Sequence, residues 1–294
     1  MPKTKLKNYF LLHLLVFIWG FTAILGALIS IDAIPLVWYR MLFATILIFV
    51  YFIIKKKSLR ISPRAFLKFL FTGILIALHW VFFFSAIKIA NVSIALVAMS
   101  TGALFTSIIE PFFFKRKLIL LELIFGLIVI SGLYLIFDTE NTYTLGIIFA
   151  LIASFLSALF TVLNGLFIKD HDAETISFYQ LFFGVAFITI YILSTTGFSL
   201  KDFSLNNSDL FYLLILSSIC TAYAFIVSVK IMKYLTPYTV MLTINLEPVY
   251  GIILAVLIFG EKEKMSPQFY IGASVILITV IINGLLKNRQ KNIA

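Results

Sequence analysis

Ten long apolar stretches, most of them nearly free of Asp, Glu, Lys and Arg, run through this 294-residue chain. They fall near residues 8–30, 34–54, 67–88, 92–114, 118–137, 143–168, 175–195, 209–230, 236–259 and 266–286. A bilayer-spanning helix needs roughly 20 apolar residues, and these stretches reach that length repeatedly. Only 12% of the residues are charged, against about 25% in an ordinary soluble domain. No soluble core can hide this much apolar surface, so the solvent must be lipid. In hydrocarbon no water satisfies backbone N–H and C=O groups, and a span must close its hydrogen bonds within itself. The expected fold class is an all-α integral membrane protein with ten transmembrane helices.

The net charge of +10 could point to nucleic acid, but the positions of the charges exclude that reading. Basic residues cluster in short loops, where they orient a membrane protein. With the N-terminus inside, eighteen of the 23 Lys and Arg residues fall on the inner face, four on the outer face, and Arg40 within a span. Both termini are therefore expected to be cytoplasmic. The first apolar stretch is too long for a signal peptide and is read as a retained membrane helix. The single cysteine, Cys220, excludes an internal disulfide and reads as a small buried residue.

The ten spans divide into two fives, residues 1–138 and 139–294. Tyr39-Arg40-Met41-Leu42-Phe43 parallels Tyr179-Gln180-Leu181-Phe182-Phe183, and residues 86–103 align without gaps on 231–248. An odd number of spans per half makes the halves inverted repeats. Many secondary transporters are built this way, with the substrate site near the bilayer midplane where the repeats meet.

Ionisable residues inside a span are expensive and mark function by default. Glu247 stands at the centre of the run 234–260, and Pro248 after it deprives the carbonyl of Ile244 of its helical partner. Thr239, Thr243 and Glu247 recur every four residues and share a helical face. A carboxylate there can take up a proton or bind an ammonium, or pair structurally with His79 or Lys230. His79, beside Trp80, can hydrogen-bond substrate, shuttle protons, or bond a neighbouring helix. Ser154, Ser157, Thr161 and Asn164 form a polar stripe that can line a path or glue helices together. Ser217, Thr221, Ala224 and Ser228, with Tyr223 nearby, form a similar face. Trp19 and Thr22 share a face of the first span, where Trp19 can stack on an organic solute. Arg40, one or two turns from the outer surface, is expected to snorkel to the headgroups, or else to attract an anionic group toward the outer mouth. Glu110 is expected to pair with the basic residues 115–117, and Glu261 to mark a helix end. The pathway set is Trp19, Thr22, His79, Ser157, Thr161, Asn164, Thr221, Tyr223, Thr243 and Glu247, with proton coupling at Glu247 and His79.

These features resemble the EamA-type ten-helix carriers of the drug/metabolite transporter superfamily. The matching pieces are Ile18-Trp19-Gly20-Phe21, Tyr39-Arg40, Glu247-Pro248, Phe259-Gly260-Glu261 and Gly272. The first half departs from the pattern, with Ala103 aligned on Pro248 and Arg116 on Glu261. Its own Glu110-Pro111 stands at a different spacing, so no role passes from one Glu-Pro pair to the other. The resemblance implies export of small organic metabolites, such as amino acids or related amphipathic solutes, from a bacterial inner membrane. Alternating access around a midplane site would carry them. A facilitative exchanger or a flippase for lipid or polyprenyl phosphate stays open. An intramembrane enzyme is disfavoured, because no phosphate loop, zinc motif or nucleophile elbow occurs. No cofactor and no metal are expected. The expected partners are a small-molecule substrate and the lipid bilayer, with a homodimer left open and no nucleic acid.

Overall fold

The computed structural model describes residues 3–115, 117 and 120–291, and among them every regular element is helical. The first half comprises α1 (Lys3–Leu28), α2 (Ala33–Ile54), α3 (Pro63–Ile89), α4 (Val92–Met99), α5 (Gly102–Phe114) and α6 (Leu120–Thr139). The second comprises α7 (Thr144–Phe167), α8 (Ala173–Ser194), the short α9 (Leu200–Phe203), α10 (Asn207–Ser217), α11 (Ala224–Ile231), α12 (Pro237–Ile244), α13 (Glu247–Phe259) and α14 (Pro267–Lys291). Eight helical stretches of the described residues are long and apolar enough to cross a membrane. Two shorter apolar helices, Ile124–Thr139 and Pro267–Thr279, accompany them.

Local chemistry sets the helix starts. Ser62 accepts the N–H of Ala65, with Pro63 fitting the first turn, where its missing N–H costs nothing. Asn206 caps α10 by accepting the N–H of Asp209 at 2.7 Å. Large apolar side chains such as Phe10, Phe112 and Leu257 cover the outside of the bundle, as a lipid solvent requires.

Two of the long spans are not continuous. The stretch over 92–114 is interrupted at Ser100–Thr101 between α4 and α5. The stretch over 236–259 is interrupted at Asn245–Leu246 between α12 and α13. The starts of α12 and α13 each fall 145 residues after those of α4 and α5. Pro248 therefore occupies the first turn of a new helix and does not kink an old one. A third irregularity was not expected: residues Ser218–Tyr223 form a π-helical segment between α10 and α11. Such segments are rare and concentrate at functional sites.

Lipid tails are as apolar as leucine, so helices hold together here by close packing and polar contacts. Helix α3 lies against both α7 and α8. A Cβ on Gly73 would sit 2.6 Å from the carbonyl oxygen of Gln180, and one on Gly184 would sit 3.0 Å from that of Gly73. The α3–α8 crossing thus brings backbone against backbone. Replacing Gly73 by valine should force the helices apart and cost about 1–3 kcal/mol, the usual range for overpacking. Thermal unfolding of the detergent-solubilised protein checks this.

Candidate functional site

The interrupted helices and the π segment surround a cavity holding about 750 Å³ of empty space, counted out to its open mouth. Eight helices contribute walls. Trp19 and Thr22 come from α1, Arg40 from α2, and His79, Trp80 and Phe83 from α3. Met99 ends α4, and Ser157, Phe160, Thr161 and Asn164 project from α7. Phe225 and Ser228 belong to α11, while Val240 and Ile244 belong to α12. Cys220 lies in the π segment, Met232 just after α11, and Glu247 opens α13. The walls are mainly aromatic and aliphatic, with charge at two residues, Arg40 and Glu247.

Arg40 does not snorkel. Its residue is 1% exposed, and its Nε donates to Thr221 Oγ1 at 2.7 Å. The guanidinium stacks 4.0 Å from the centroid of the Trp80 ring and 5.4 Å from that of Phe84. A flat cation on aromatic faces, with a hydroxyl at its edge, is held inside the protein at the level where snorkelling was expected. Its Nη1 is buried and has no hydrogen-bond partner among the described residues. The π segment makes this possible. Thr221 Oγ1 donates to Leu216 O at 2.6 Å and accepts from Arg40, while the Trp19 indole donates to Cys220 O at 3.2 Å. The widened turn thereby ties α1 and α2 to the second half at the cavity wall.

Glu247 is partly buried in the first turn of α13, where the helix dipole favours a carboxylate. Among the described residues no hydrogen bond or ion pair engages it, so neither His79 nor Lys230 is its partner. It stays within electrostatic reach of Arg40. His79 is 7% exposed and donates from Nδ1 to Ala153 O at 2.8 Å, since a carbonyl can only accept. That bond fixes the ring on α7 and leaves Nε2 as its other polar atom.

Of the ten residues singled out from sequence, the structure brings seven to the cavity: Trp19, Thr22, His79, Ser157, Thr161, Asn164 and Glu247. Thr221 lies behind the wall as the partner of Arg40. Tyr223 is 47% exposed on the outside of the bundle. Thr243 donates to Thr239 O at 2.9 Å within α12, and the break after Ile244 ends the face it was expected to share with Glu247. The polar stripe of α7 divides as well. Ser154 bonds Met99 O and Thr101 Oγ1, both at 3.0 Å, and so fastens the break in the first half. Asn164 Oδ1 accepts from Gln180 Nε2 at 2.6 Å, and that amide also reaches Thr72.

Sequence reading passed over Glu263. This carboxylate is 4% exposed and accepts the N–H groups of Val92 and Ser93 at 2.9 Å and the hydroxyl of Ser93 at 2.8 Å. Glu110 plays a like part in the other half, accepting the N–H of Tyr238 at 2.9 Å. Of the basic residues 115–117 with which it was expected to pair, Arg116 lies outside the described residues. Glu261, beside Glu263, is exposed and pairs with Lys264 at 3.3 Å.

A family model described as the EamA-like transporter family matches residues 6–138 and again residues 144–285. The chain belongs to the EamA-like transporter family. A protein of Archaeoglobus fulgidus described as an uncharacterized transporter is 26% identical over 273 residues, covering 90% of this chain and 92% of that one. One of Clostridium kluyveri with the same description is 26% identical over 206 residues, covering 67% of this chain and 65% of its own length. A solved crystal structure superposes with a TM-score of 0.70 at 15% identity, over 96% of this chain and 98% of that one. That likeness shows the fold alone.

The Arg40–Thr221 bond gives a direct check of the site. Thr221→Val removes the acceptor of a buried guanidinium and should cost about 1–3 kcal/mol. Thr221→Ser should restore most of it, as read by thermal unfolding in detergent.

Proposed function

We propose that this EamA-like transporter is a secondary carrier exporting a small amphipathic organic metabolite, such as an amino acid, from a bacterial inner membrane. In this reading ten helices cross the bilayer as two inverted five-helix repeats, with both termini cytoplasmic. The doubled family match and the shared 145-residue spacing of the two helix breaks support it. The two repeats rock about the cavity and expose it to each side in turn.

The observation that carries the reading is the pair of opposite charges in one aromatic-lined cavity. Glu247 has no hydrogen bond or ion pair among the described residues, and Arg40 keeps an unpartnered Nη1. A solute with a cationic and an anionic end can meet both charges at once, which a purely apolar or singly charged molecule cannot. Asn164 Nδ2, also buried and unpartnered, adds a donor, and Trp19 and Phe160 offer faces for an apolar side chain. Uptake of a proton by Glu247 would weaken its hold on a cationic group, so a proton gradient can drive release on the acidic side.

Proteoliposomes loaded with a mixed amino-acid and metabolite pool test this, with efflux followed by mass spectrometry with and without a pH gradient. The expected result is selective loss of a few zwitterionic solutes, faster with an acidic exterior and losing that acceleration in Glu247→Gln. Selective loss indifferent to the gradient and to Glu247→Gln would leave a facilitative carrier without this coupling. Protein-dependent movement of labelled lipid with no solute efflux would replace the solute reading by a flippase.

A further inference from the structure

Helices α4 and α12 both begin inside the protein, and each takes part of its N-terminal cap from the opposite half of the chain. A helix start leaves its first N–H groups without intrahelical partners. In α4 the N–H of Ile94 goes to Asn91 Oδ1 at 2.8 Å, while those of Val92 and Ser93 go to Glu263, which follows α13. In α12 Pro237 has no N–H, that of Thr239 goes to Thr236 Oγ1 at 3.2 Å, and that of Tyr238 goes to Glu110 in α5. Each half thus lends one buried carboxylate to the interrupted helix of the other. The chain direction puts the two clamps at opposite ends of the bundle. Glu110 and Tyr238 lie at the end holding the termini, and Glu263 and Val92 lie at the far end. Other cross-half ties, Asp209 with Ser30 and Lys57 with Glu174, leave α4 and α12 alone.

We infer that Glu110 and Glu263 are positioning residues of the transport cycle, each holding one end of the cavity shut by capping the opposite half's broken helix. The inference rests on the alternating-access reading above. Opening the far end requires α4 to part from the segment after α13, which breaks the bonds to Glu263. Opening the terminal end requires α12 to part from α5, which breaks the bond to Glu110. The bonds are charge-assisted and buried, so each clamp resists opening strongly and locally. A neutral amide keeps the shape of the side chain and one acceptor oxygen but loses the charge.

The chain carries its own reporter. Cys220 is its one cysteine, lines the cavity and is 3% exposed. A membrane-impermeant thiol reagent is applied to membrane vesicles of both orientations, with sidedness set by a tag on the C-terminus. In wild type labelling should be slow from both faces. Glu263→Gln should raise it roughly tenfold from the face away from the termini, the change expected from losing a hydrogen bond to a charged group. Glu110→Gln should raise it from the terminal face instead. Ser93→Ala, which removes one bond to Glu263 and spares the carboxylate, should act in the same direction as Glu263→Gln and more weakly. Equal increases from both faces, or no increase in folded protein, would overturn the inference, because a merely structural cap has no side. Labelling needs no transported solute. One-sided opening without solute efflux would therefore sink the proposed cargo and leave the clamps standing, and efflux with two-sided or unchanged labelling would do the reverse.

Discussion

Everything in this structure answers to the absence of water around the backbone within the bilayer. An uninterrupted helix meets that condition alone; an interrupted one does not. The chain interrupts helices between α4 and α5, between α12 and α13, and in the π segment, and partners from other elements serve two of these places and the starts of α4 and α12. Ser154 serves the first break, Trp19 reaches the π segment, and Glu263 and Glu110 serve the two internal helix starts. The interruptions lie around the cavity and give it Cys220 and Glu247, while α1, α2, α3 and α7 supply most of its other polar lining.

The two halves share a scaffold but differ in chemistry. Gly102 holds the position in the first half that Glu247 holds in the second, and a Cβ there would lie 2.5 Å from the Met241 methyl. Gln180 holds the position that corresponds to Arg40, and it spends its amide on Thr72 and Asn164. One half therefore contributes the cation and the other the carboxylate. The two halves thus keep one helical plan and differ in the charges they bring to the cavity.

The spans, their helical nature and the duplication were legible because lipid imposes long uncharged runs and because two copies keep their spacing. Glu247 was legible because a carboxylate in the middle of such a run has no bland surroundings in sequence. Arg40 was misread. The aromatic faces of Trp80 and Phe84 that hold it come from α3 and cannot be seen from α2. Glu263 was missed because it sits in a charged loop among Glu261, Lys262 and Lys264, where nothing local marks one carboxylate as buried. Its role is written in the N–H groups of Val92 and Ser93, far away along the chain. Tyr223 was placed in the pathway by proximity to Thr221, and the π segment rotates it outward.

Hydropathy and charge, read along the chain, determined that this protein belongs in a bilayer and is helical, because those follow from the cost of leaving backbone and charge unsolvated. Tertiary structure alone decided which polar groups face the cavity, which fasten helices and which cap their ends. Those roles depend on helix rotation and on partners from the opposite half, and periodicity within one helix carries no information about either.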